Sequence, residues 1–69
     1  MKVEVGKKYF NGKDEVVEII DKMLKPIFGW DVYVGMKRLR NGFEAMIPLD
    51  EYGRFMQNDN DPLTLVREA

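Results

Sequence analysis

A chain of 69 residues is long enough for one domain, whose core hides only about 60% of the unfolded surface. It has no cysteine, histidine or serine and a single threonine, Thr64. That composition excludes Ser–His–Asp and Cys–His catalysis within the chain, disulfides, and zinc sites of the usual ligand type.

With 45% hydrophobic and 12% aromatic residues, the chain is expected to fold without a staple. The net charge of −1 is unevenly spread: +1 over residues 1–25, +2 over 26–43 and −4 over 44–69. No apolar run approaches membrane-spanning length. Met1–Lys13 has no signal-peptide pattern, so a reducing, cytoplasmic setting is expected.

Met1–Phe10 alternates, with Val3, Val5 and Tyr9 against Lys2, Glu4 and Lys8, as in a half-buried strand. Gly6 is a candidate bulge within it, and Asn11-Gly12 a turn. Asp14–Lys25 supports two readings. Val16, Val17, Ile19, Ile20, Met23 and Leu24 fall in one helical sector between a possible cap, Asp14, and a stop, Pro26. Their β-branched pairs equally suit a strand over Glu15–Ile20 followed by a loop.

A strand follows, with Phe28, Trp30, Val32, Val34 and Met36 on one face and Asp31, Tyr33, Gly35 and Lys37 on the other. Asn41-Gly42 is a strong hairpin signal. Read as a two-residue turn, it pairs Met36 with Ile47, Val34 with Leu49, Lys37 with Met46, Leu39 with Glu44 and Arg40 with Phe43. Pro48, having no N–H, suggests an edge or a bulge. Tyr52, Phe55 and Met56 have the spacing of one helical turn capped by Asp50. Gln57–Pro62 reads as an exposed polar loop, and the residues from Asp61 onward as either a final helix or a closing strand over Leu63–Val66.

The segments Val5-Gly6-Lys7-Lys8-Tyr9, Glu15–Ile19, Gly29–Val34 and Ala45–Tyr52 together resemble the SH3-like small β-barrels found among short phage, prophage and bacterial proteins. The resemblance covers most of residues 3–56 and consists of core pattern and turns. It implies a fold and a phage-like origin but no chemistry.

The expected architecture is mainly β: a small SH3-like antiparallel barrel or meander with a short helical turn near 50–56. The alternative is an α+β domain with helix 14–25 packed on a three-stranded antiparallel sheet. Residues 1–56 would form the single globular domain, and 57–69 a polar loop with a short closing segment.

Two local motifs fail on inspection. Gly6–Asp14 echoes a phosphate-binding loop, but five residues separate the glycines where four are needed, and Asp14 stands where Ser or Thr would hold Mg²⁺. Asn58-Asp59-Asn60-Asp61 is rich in oxygen ligands, but Pro62 and Leu63 interrupt the calcium-loop pattern.

The remaining candidates are for partner binding. Lys37, Arg38 and Arg40 with Phe43 make a basic hairpin tip; the turn above puts Arg38, Arg40 and Phe43 on one face and Lys37 on the other. Tyr33 and Phe55 are candidate aromatic contacts. The expected function is a non-catalytic protein-binding module or regulator, phage-encoded and acting on a host factor. It would need no cofactor and no metal. A nucleic-acid-binding barrel using the hairpin tip and a self-associating structural protein are the alternatives.

Overall fold

The computed structural model describes residues 1–23 and 29–69. Leu24, Lys25, Pro26 and Phe28, which entered the readings above, lie outside the described residues. Among the described residues, five antiparallel strands form one open sheet: β1 (Lys8–Asn11), β2 (Val16–Lys22), β3 (Tyr33–Arg38), β4 (Glu44–Leu49) and β5 (Leu65–Glu68), in the order β4-β3-β2-β1-β5. The described residues contain no helix.

The mainly β reading therefore holds, and the helical alternative for 14–25 fails over its described part. Val16–Lys22 pairs with β1 on one side and β3 on the other. A helix here would leave the facing N–H and C=O groups of both neighbours without partners, a cost that local periodicity does not register. Strand alternation puts Val17 and Ile19 fully inside. An extra residue in β2, between Ile19 and Asp21, bends the strand where it crosses from one neighbour to the other.

The main core cluster is Val3, Tyr9, Val17, Ile19, Ile47, Leu49 and Leu65, with Tyr33 and Phe55 packed against it, and Val32 is buried as well. The closing segment thus belongs to the core sheet: Leu65 is buried and β5 pairs with β1. The first strand is shorter than Met1–Phe10 suggests. It starts only at Lys8, because Glu4–Lys7 makes a turn with Gly6 at φ +93°. Gly6 and Lys7 stand together opposite Ile19, through Gly6 N–H to Ile19 C=O and Ile19 N–H to Lys7 C=O, which is the bulge expected at Gly6.

Three five-residue loops share one geometry. In Asn11–Glu15, Leu39–Phe43 and Asp50–Arg54 the first N–H donates to the fifth carbonyl, and the fourth N–H donates to the first carbonyl. The fourth residue has positive φ in each: Asp14 at 58°, Gly42 at 85° and Gly53 at 78°. Two loops also run on a buried Asx side chain. Asn11 Oδ1 accepts the N–H groups of Lys13 and Glu15, and Asp50 Oδ1 those of Tyr52 and Arg54. The cap expected at Asp50 is therefore present, but what it caps is this hydrogen-bonded loop and not a helix.

The Leu39–Phe43 loop corrects the hairpin register. It has three residues between the paired positions, with Asn41 Oδ1 accepting the Phe43 N–H, where a two-residue turn was expected. The pairs are Tyr33 with Leu49, Val34 with Pro48, Gly35 with Ile47, Met36 with Met46, Lys37 with Ala45 and Arg38 with Glu44. Every β3 residue is displaced by one from the expected pairing, and such a slip exchanges the faces. Tyr33, Gly35 and Lys37 face inward, while Val34, Met36 and Arg38 face outward.

Gly35 explains why the less apolar face is the inner one. A β-carbon there would lie 2.7 Å from Val17 Cγ1 and 3.0 Å from Leu49 Cδ1, so the neighbours already fill its space. Pro48 lies on edge strand β4, as its missing N–H suggested. Leu39 N–H donates to the Phe43 carbonyl, and hydrogen-bonded positions recur at every second residue along the ladder. Pro48 therefore falls at a position whose N–H would point away from the sheet.

Candidate functional site

The six residues proposed from sequence do not form one patch. Tyr33 is half-buried against the core, with Lys22 Nζ 5.6 Å from its ring centroid. Phe55 also packs on the core, and its N–H donates to Thr64 Oγ1. Lys37 turns inward and donates to both Glu15 carboxylate oxygens at 3.0 Å. Arg38 lies on the outer face, 3.9 Å from Glu44. Arg40 sits in the loop, and Phe43 is 69% exposed opposite Leu39. The expected grouping of Arg38 with Phe43 on one face is thus corrected. So is the pairing of Arg40 with Phe43: the ring–cation contacts among the described residues are Lys22–Tyr33, Arg54–Tyr52 and Arg67–Phe10.

The register instead assembles a surface that the expected faces had hidden. Across the outer side of the sheet run Lys8, Glu18, Met36 and Met46, and beside them Arg67, Phe10 and Val16. Val34 and Pro48 continue the same side. Met46 is 56% and Val16 45% exposed, whereas Met36, Val34 and Phe10 are half-buried. Lys8, Val16, Glu18, Met36 and Arg38 line a shallow concavity of about 200 Å³. The Arg67 guanidinium stacks 4.5 Å from the Phe10 ring centroid and closes the β5 end. The sequence carried one signal of this arrangement: an isolated glycine inside a strand, Gly35, marks close approach on its own face and so turns the apolar residues beside it outward.

Beneath the hairpin, on the inner side, Asn11 Nδ2 donates to Glu15 Oε1 at 2.9 Å, and Lys37 completes the cluster. The Asn11 hydrogen bond and then the Lys37 ammonium hold the Glu15 carboxyl below its ordinary value of 4.5. At the opposite end Arg54 Nε donates to Asp50 Oδ2 at 2.7 Å, which raises the guanidinium above its ordinary value. These polar groups are spent on holding loops. Among the described residues no buried side-chain nitrogen or oxygen lacks a hydrogen-bond partner.

Among the described residues no three His, Cys, Asp or Glu side chains converge as a metal site. The oxygen-rich Asn58–Asp61 stretch closes its own turn, with Asn58 Oδ1 accepting the Asn60 N–H and Thr64 Oγ1 donating to the Asn58 carbonyl. No helix among the described residues is long and apolar enough to cross a membrane. Comparison with known proteins finds no matching family model, no matching curated protein and no matching solved structure.

Proposed function

We propose that the chain is a small, non-catalytic protein-binding module that meets its partner through the outer face of the sheet. One observation carries the reading: Val16, Val34, Met36 and Met46 share the side of the sheet turned away from the core. Val34, Met36 and Met46 adjoin one another and Pro48, whereas Glu18 separates Val16 from them; outward-facing apolar residues grouped in this way typically mark an interaction surface. Methionines suit such a surface because their flexible thioethers adapt to a partner's shape. Lys8, Arg38, Arg67, Glu18 and Glu44 supply charge around the apolar middle. An SH3-like fold is part of the proposal, and a fifth strand that returns to pair with the first fits it; a phage-like origin is proposed with it. So is a role as a cytoplasmic regulator of a host factor.

The nucleic-acid reading has less support. Lys37 is turned inward onto Glu15, and Arg38 lies near Glu44. Lys37 is thereby withdrawn from the tip, and the phosphate-facing set expected there shrinks to Arg38 and Arg40.

The test is a pull-down from bacterial lysate with the tagged domain, with and without nuclease, using wild type and Met46→Lys. A discrete protein that survives nuclease and is lost with Met46→Lys supports the proposal. Recovery of nucleic acid that depends on Arg38 and Arg40 would replace it with the hairpin-tip reading. Concentration-dependent sedimentation abolished by Met46→Lys would identify a second copy of the chain as the partner.

A further inference from the structure

The chain contains two Asn-Gly pairs, Asn11-Gly12 and Asn41-Gly42, and each lies in one of the matched five-residue loops. In both, the asparagine Oδ1 accepts the N–H two residues on, from Lys13 and from Phe43. Asparagine is a chemically labile residue, and a following glycine has no side chain to shield its nitrogen from the neighbouring amide.

We infer that Asn41 is a site of spontaneous deamidation, and that the fold protects Asn11 beside the same residue type. In this step the Gly42 nitrogen gives up its proton to hydroxide and bonds to Asn41 Cγ. The Cγ–Nδ2 bond breaks, and Nδ2 takes a proton from water and leaves as ammonia. A water molecule then opens the succinimide ring. Opening at Cγ gives aspartate, and opening at the main-chain carbonyl carbon gives isoaspartate.

The two surroundings differ in what must be broken to bring the reacting atoms together. Asn41 is exposed, as are all the residues from Arg38 to Glu44, and its side chain is held by the Phe43 N–H at 3.1 Å. Gly42 N–H donates to the Leu39 carbonyl in the same exposed loop, and a β-carbon on Gly42 would meet nothing within 4 Å. Such solvent-exposed loop hydrogen bonds open readily. Asn11 is 0% exposed. Its Oδ1 accepts the N–H groups of Lys13 and Glu15, and its Nδ2 donates to Glu15 Oε1. Gly12 N–H donates to the Pro62 carbonyl, whose oxygen would lie 3.2 Å from a β-carbon on Gly12. Conversion at Asn41 moves the net charge from −1 to −2 and sets the new carboxylate beside Arg40. The isoaspartate product also lengthens the main chain of the loop by one carbon. The inference stands independently of the outer face.

The experiment holds the full chain in mildly alkaline buffer, folded and, in parallel, unfolded in urea. Samples are digested with pepsin in acid, where the reaction stalls, and mapped by mass spectrometry. Folded, Asn41 is expected to convert about tenfold or more faster than Asn11, since two further side-chain hydrogen bonds must break at Asn11. In urea the two sites should convert at nearly equal rates. Asn41→Asp marks the elution of one product, and isoaspartate appears as a separate peak of the same mass. A folded chain whose Asn41 stays intact, or whose Asn11 keeps pace with it, overturns the inference. An Asn11 that stays slow in urea also overturns it, because the protection would then not come from the fold.

Discussion

Gly35 and Val17 occupy one space: the position a β-carbon would take on Gly35 lies 2.7 Å from Val17 Cγ1. Leu49 Cδ1 lies 3.0 Å from the same point, so a methyl group there would press on two buried side chains at once. Gly35→Ala is expected to destabilise the fold by about 1–3 kcal/mol, the usual cost of overpacking a core. Pairing it with Val17→Ala should cost less than the sum of the single changes, because the truncated side chain frees the contested volume. Urea unfolding of the four proteins measures this; strictly additive losses would refute it.

The Glu15 carboxyl gives the stability a definite acid limb. Its folded pKa lies below 4.5, chiefly through the Asn11 hydrogen bond and then Lys37. A depressed carboxylate stabilises the fold above its unfolded pKa, and that contribution is lost as pH falls through the folded value. Between about pH 5 and pH 3, wild type should therefore lose more stability than Glu15→Gln. Thermal unfolding across that window tests the difference, and parallel curves would assign the acid sensitivity to other groups.

Asp50 holds its loop with three hydrogen bonds, two from backbone N–H groups and one from Arg54 Nε. Asp50→Ala strands those donors near a buried position and is expected to cost about 2–3 kcal/mol. Asp50→Asn keeps an oxygen for the two N–H groups and should cost less. Chemical denaturation ranks them; an alanine variant as stable as the asparagine one would contradict the loop-holding role.

The hairpin loop offers a test of register. Removing Arg40 would leave Asn41-Gly42 as a two-residue connection between the existing Leu39–Phe43 pair, the length that favours a primed turn. The shortened chain is expected to keep the same faces, with stability within about 1 kcal/mol of wild type. Cross-strand proton contacts between Met36 and Met46 would report retention, and contacts between Met36 and Ile47 would report a slip.

That hairpin also shows how far the sequence could be read. Asn41-Gly42 marked the turn, Pro48 the edge strand and Gly6 the bulge, because each answers to local backbone chemistry. The register was off by one because Asn-Gly fits a two-residue turn and the end of a three-residue loop equally well, and apolar residues on both sides of β3 made the wrong pairing look consistent. Val16–Lys22 was ambiguous because its strand state depends on β1 and β3, supplied from other parts of the chain. Lys37 turns inward because Glu15, 22 residues earlier, waits there. The basic tip was thus legible as composition but not as geometry, and the outer face followed only once the register was known.

The three matched loops bear on how the chain acquires its shape. Each closes between a residue and its fourth successor, so little chain entropy opposes it, and hairpins built on such closures form on the order of 1–10 μs. The pairing of Tyr9 with Glu68 and of Asn11 with Leu65 is the opposite case, joining the two ends of the sequence. Docking of β5 is therefore expected to follow closure of these loops. A chain still emerging from the ribosome can complete its β2–β3–β4 meander while the Tyr9 side of the sheet waits, uncovered, for its last strand.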